Sequence, residues 1–125
     1  MYIGEVAKQT GLSVKAIRLY EEKGLIRSPR RLGRYRVYTD EDVEVLSLIV
    51  EAKKLGVTLT EIKGAIVYRD TGVDWQRVRI FLEDVKGRLE AELENIAQSI
   101  KQVEHCIDSI ESCPQTVDSP PKGRD

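Results

Sequence analysis

The stretch IGEVAKQTGLSVKAIRLYEEKG, residues 3–24, decides the fold. Ile3, Val6 and Ala7 stand at helical spacing, and Gly11 follows as a C-terminal stop. Ser13 is placed to cap a second helix that carries Ala16, Ile17 and Tyr20 inward and runs to about Gly24. Helix, short glycine-containing turn, helix is the arrangement of the helix-turn-helix, although a plain helical hairpin reads the same way. Lys15 and Arg18, three apart, share one face of the second helix, and Ser13 and Lys15 lie near its N-terminus, the end that recognition helices aim at base edges.

The residues that follow change character. Between Arg27 and Arg36 there are five arginines, with Pro29 and Gly33 breaking any helix. Arg34, Arg36 and Tyr38 alternate with Tyr35 and Val37, which suits a small β-ribbon with two unlike faces. A ribbon tipped with arginines beside a helix-turn-helix is a wing. Thr39 with Asp42 and Thr58 with Glu61 have capping-box spacing and open helices over about 40–54 (Val43, Leu46, Ile49, Val50) and 59–68 (Ile62, Ala65, Ile66), separated by Gly56.

Beyond Asp74 the period is seven. Leu82, Leu89, Ile96, Val103 and Ile110 form one heptad line, and Leu93, Ile100 and Ile107 the second. A helix from about Trp75 to Ser112 is roughly 57 Å long at 1.5 Å per residue. A small head cannot bury such a stripe, so the pattern predicts a homodimer paired through this helix. Gly87 weakens the helix locally by about 1 kcal/mol, and Pro114 sets its end. Expected divisions are a head over 1–70, a dimerisation helix over 74–113 and a disordered tail over 114–125, rich in Pro and Gly.

Composition narrows the function. The chain has 125 residues, 41% apolar and 33% charged, too apolar for a disordered chain. No apolar run approaches a transmembrane length, and the first thirty residues lack the pattern of a secretory signal. Two cysteines point to a reducing cytoplasm. One histidine and seven aromatic residues leave little acid–base chemistry, which argues against an enzyme. The net charge of -1 conceals an asymmetry. Residues 1–38 carry nine Lys/Arg against three acids, a surplus of +6, whereas residues 71–125 carry seven against eleven, or -4. A basic head of this kind suits a polyanion, and an unevenly charged solvated surface is the plainer alternative. Candidate phosphate and base contacts are Ser13, Lys15, Arg18, Tyr20, Tyr35, Arg36 and Lys53. Tyr20 has two readings, a phosphate contact through its hydroxyl or simple core packing.

The runs Ile3-Gly4-Glu5-Val6-Ala7, Gly11-Leu12-Ser13 and Ala16-Ile17-Arg18-Leu19-Tyr20-Glu21-Glu22-Lys23-Gly24-Leu25-Ile26 resemble the MerR family of bacterial transcription regulators. Tyr35-Arg36-Val37-Tyr38-Thr39 and Lys53-Lys54-Leu55-Gly56-Val57 continue the resemblance, and the head is most similar to the copper- and heavy-metal-responsive branch. The resemblance implies an all-α fold with a small β wing: a winged helix-turn-helix head and a long antiparallel coiled-coil dimerisation helix. It also implies a palindromic promoter operator, RNA polymerase as a partner, and an effector that lets the dimer bend and untwist an over-long promoter spacer.

The chain departs from the metal-sensing pattern. Residues 73–79 hold neither the cysteine nor the serine that metal-sensing relatives place at the start of the dimer helix. Cys113-Pro114 resembles the first loop cysteine, but no second follows. Cys106 is seven residues earlier, about 10 Å along the helix, too far to share an ion with Cys113 within one chain. Four readings stay open: a soft or borderline metal ion (Cu, Zn, Cd, Pb or Hg) bridged across the dimer by Cys106, Cys113 and His105; thiol oxidation; another effector or none; or, for Cys106, a small apolar residue beside the seam. Adjacent helix positions point about 100° apart, which suits His105 and Cys106 poorly to thiolate–imidazole catalysis. The rival function class is a DNA-architectural or recombination-accessory protein with a winged head and no effector.

Overall fold

The computed structural model describes residues 1–27 and 30–112, so Cys113 and the expected tail fall outside the described residues. The described elements run α1 (Ile3–Thr10), α2 (Val14–Glu22), β1 (Arg30–Leu32), β2 (Tyr35–Val37), α3 (Asp40–Lys54), α4 (Leu59–Ala65), β3 (Tyr68–Arg69), β4 (Gly72–Val73) and α5 (Trp75–Ser112). The chain divides into a compact unit, Met1–Glu83, and a second unit that begins at Asp84. The first two and a half turns of α5 therefore belong to the head, where Val78 is buried.

The turn between α1 and α2 is fixed by local chemistry. Gly11 takes the left-handed conformation (φ 78°), which a residue with a Cβ adopts only under strain, and its N–H closes α1 onto the Ala7 carbonyl. The Ser13 hydroxyl then accepts from the Ala16 N–H at 3.0 Å, satisfying one of the free donors of α2. Both threonine boxes form as the spacing requires. The Thr39 and Asp42 side chains satisfy each other's backbone N–H groups at 3.1 and 2.9 Å, and Thr58 and Glu61 do the same at 3.2 and 3.1 Å. The core of the head is Val6, Ile17, Tyr20, Leu25, Ile26, Tyr38, Val45, Leu46, Ile49, Ala52 and Ile62. Along α3 the buried face is centred on Val45, Leu46 and Ile49, with Val43 and Val50 at its edges.

Two features differ from the sequence expectation. Helix α4 ends at Ala65 rather than residue 68, because Ile66 is extended (φ -95°, ψ 104°) and begins a β-branched pair, Ile66-Val67. The chain then makes a second hairpin, with Tyr68 paired to Val73 and Arg69 to Gly72. Its register is held from outside. The Glu41 carboxylate accepts from the Val73 N–H at 3.0 Å, and the Tyr68 hydroxyl donates to the Leu25 carbonyl at 3.1 Å. The Arg27 guanidinium donates to the Arg69 carbonyl and lies 4.6 Å from the Tyr68 ring centroid. Asp74 closes the hairpin with an ion pair to Arg69 at 3.0 Å and accepts from the Arg77 N–H in the first turn of α5.

The second unit, as described, is helix alone. Leu89, Leu93, Ile96, Ile100, Val103, Ile107 and Ile110 stand 39–68% exposed along it, the heptad stripe read from the sequence.

Candidate nucleic-acid interface

The wing is short and set by pairing. Arg30 opposes Val37, Arg31 opposes Arg36 and Leu32 opposes Tyr35, around a turn at Gly33-Arg34 in which Gly33 has φ 64°. Two arginines directly opposite on one face repel each other. Glu21, on α2, offsets part of this, with its carboxylate 3.4 Å from Arg36 Nε. That contact is an ion pair without hydrogen-bond geometry, so the buried Nε–H of Arg36 has no hydrogen-bond partner. The same carboxylate accepts from the Tyr38 hydroxyl at 3.3 Å. Burial, followed by the Glu21 charge, pushes that hydroxyl above the ordinary tyrosine range.

Between α2 and the wing lies an open depression of about 400 Å³ walled by Arg18, Arg31, Arg34, Arg36, Tyr2 and Tyr35. The Tyr2 and Tyr35 rings meet at 5.7 Å and 51°, a tilted contact that fixes one wall. The Tyr38 N–H donates to the Met1 carbonyl at 2.7 Å, which brings residue 2 beside β2. A second depression, about 640 Å³, runs along the outer face of α2 past Ser13, Lys15, Arg18, Leu19 and Glu22. Arg18 lines both, so they form one continuous basic surface. Four arginines with tyrosine hydroxyls beside an exposed helix face can neutralise phosphates and reach base edges.

Lys15 and Arg18 are exposed on α2, and Tyr35 and Arg36 stand on the wing. Ser13 borders the α2 depression with its hydroxyl engaged as the helix cap. The Tyr20 ring packs in the core, 7% exposed. Lys53 is exposed at the C-terminal end of α3 and lines neither depression. Arg31, Arg34 and Tyr2 also line the surface. The two arginines were legible in the basic run, whereas Tyr2 gives no local signal because its partner is 33 residues away. Cys106 and His105 are exposed on α5, and among the described residues no three His, Cys, Asp or Glu side chains gather to hold a metal ion. Nor is any described helix long and apolar enough to cross a membrane.

Residues 1–68 match the profile of the MerR HTH family regulatory protein. The chain is 40% identical over 105 residues to the HTH-type transcriptional regulator CueR of Escherichia coli O6:H1, an alignment covering 83% of this chain and 73% of the relative. Among solved structures, HiNmlR, a MerR family regulator lacking the sensor domain and bound to promoter DNA, superposes with a TM-score of 0.55 at 24% identity, covering 84% of this chain and 81% of that one. The transcription regulator PbrR691 of Ralstonia metallidurans, in complex with lead(II), gives 0.54 at 23%, covering 95% and 92%. At these identities the two structures speak for the fold alone. A winged helix-turn-helix with a basic face, matched over more than half its length by the family profile, places the chain in the MerR family of helix-turn-helix proteins, as a DNA-binding transcription regulator and not an enzyme.

Proposed function

We propose that the chain works as a homodimer on a twofold-symmetric promoter operator, placing its two heads in successive major grooves and presenting the remodelled spacer to RNA polymerase in the cytoplasm. The observation that carries this reading is the single basic surface made by α2 and the wing, with Arg18 common to both parts. Residues 1–70 serve as the DNA-binding head and 74–113 as the dimerisation helix. The exposed stripe from Leu89 to Ile110 is the seam of an antiparallel coiled coil with a second copy. Contacts to DNA are assigned to Ser13, Lys15, Arg18, Tyr35, Arg36 and Lys53, together with Arg31, Arg34 and Tyr2, and to the hydroxyl alone of Tyr20, whose ring packs in the core.

We take the effector to be a metal ion. One copy of the chain does not fit such an ion, because Cys106 stands exposed without a gathered donor set among the described residues. Two Cys106–His105 pairs and two Cys113 thiols belong to one dimer, and the dimer is where metal binding is to be measured. Transcription from a bound promoter by purified dimer and RNA polymerase, with Cu, Zn, Cd, Pb, Hg or an oxidant added, tests the reading. Output that rises with one of them in the native protein and not in Cys106→Ser or Cys113→Ser supports a thiol-bound effector. A footprint confined to recombination sites, with no effect on transcription, overturns the regulator reading in favour of an architectural protein.

A further inference from the structure

The face of α2 that turns outward is not uniformly cationic. Leu19 stands 43% exposed in its middle, with Lys15 four residues before it, Arg18 beside it and Glu22 three residues after, all lining the 640 Å³ depression. In the helix, Lys15, Leu19 and Glu22 fall on one face. This surface does not suit a bare phosphate, which gains nothing from Leu19 and is repelled by Glu22. It suits the floor of a major groove. There, thymine offers the C5-methyl as the one apolar group among the base edges, and cytosine offers an amino donor for a carboxylate. The cations at Lys15 and Arg18 match the flanking phosphates, which gives the charge complementarity that a second protein copy would lack.

Building on the promoter-binding reading above, we propose that Leu19 is a specificity-determining residue that packs on a thymine methyl group in each operator half-site. The contact is apolar and local. Removing the methyl takes about one buried CH₂ group from the interface, worth about fourfold in affinity per half-site. Leu19 is exposed and outside the core of the head, so its replacement leaves the fold standing.

The test uses the full chain and a duplex selected by it from a randomised pool. Each thymine of the selected half-site is replaced in turn by uracil, which lacks only the C5-methyl, and affinity is read by fluorescence anisotropy at fixed salt. The expected result is one position in each half-site where uracil weakens the native protein about fourfold, while Leu19→Ala binds the thymine and uracil duplexes alike. Leu19→Met restores the discrimination. A selected half-site without thymine, indifference to every uracil, or equal discrimination by Leu19→Ala overturns the assignment while leaving promoter binding intact. Failure to enrich any duplex, with no salt-dependent binding, overturns promoter binding itself and this inference with it. A melting curve of Leu19→Ala matching that of the native chain separates lost readout from lost folding.

Discussion

Replacing Arg34 by alanine removes one guanidinium from the wing turn without touching the core, and its effect on DNA binding follows from counting exposed cations. Lys15, Arg18, Arg31 and Arg34 are exposed on the basic surface, while Arg36 is partly neutralised by Glu21. If each of the four meets a phosphate, a dimer releases counterions from about eight, and log affinity falls against log salt with a slope of about -7. Between 50 and 200 mM salt this is a loss of about 10⁴-fold. Arg34→Ala takes one contact from each head, so the slope relaxes by about 2 and the low-salt affinity falls while the melting temperature stays put. The assay is anisotropy of a labelled operator duplex titrated at four or five salt concentrations. Lys101→Ala, on the exposed surface of α5 in the second unit, serves as the control. An Arg34→Ala slope equal to the native one means that the wing turn does not touch the backbone. A slope that changes equally in Lys101→Ala means that net charge, not this surface, governs binding.

Other consequences concern the dimer and the head. Ile100→Asp places a charge in the seam at a side chain now 54% exposed. Losing about 1 kcal/mol of burial and adding about 2 kcal/mol of desolvation, twice per dimer, weakens association by about 10⁴-fold in sedimentation, and an unchanged dimer refutes the seam. Gly72→Ala sets a Cβ 2.7 Å from the Glu41 carboxylate at a backbone φ of 123°, so a loss of about 1–3 kcal/mol and a lower melting temperature are expected. An unshifted melt would show that the hairpin yields freely. The Tyr68 hydroxyl is pushed up to about 12, chiefly by burial and then by the Asp42 charge. Since the folded state holds this proton more tightly than the unfolded chain, its contribution is complete below pH 10.0 and is lost as pH rises towards 12. Native protein should lose stability over that window, by about 1 kcal/mol after solvent screening, and Tyr68→Phe should lose less. Equal losses in denaturant titrations at pH 9 and 11 would refute the assignment.

The legible part of this fold is what neighbours in sequence decide. Gly11, Ser13 and the two threonine boxes each act within a few residues, and each fixes an element boundary that the structure keeps. The second hairpin was not legible, because two-residue strands carry no periodicity. Glu41, Leu25 and Arg27, which hold it in register, are 32 to 43 residues distant from their partners in it. The site divides in the same way. Lys15 and Arg18 follow from helical spacing alone. The Tyr2–Tyr35 wall and the Glu21–Arg36 pair exist only once α1, α2 and the wing have been brought together.

The Glu21–Arg36 pair also shows how the head balances stability against binding. Arg31 and Arg36 oppose each other across the wing, an arrangement that is unfavourable in the free protein and becomes favourable beside a polyanion. Glu21, its side chain 12% exposed, holds one of the two while the partner DNA is absent. Glu21→Gln keeps the shape and still accepts the Tyr38 hydroxyl, but removes the countercharge. The free head should then lose about 1–2 kcal/mol, read as a lower melting temperature that recovers partly in high salt. DNA binding should move the other way, with tighter low-salt affinity and a steeper salt slope, because Arg36 no longer has an internal partner to leave. Opposite signs for stability and affinity are what a countercharge competing with the phosphates requires. If both fall together in Glu21→Gln, the carboxylate is holding the shape of the wing rather than its charge.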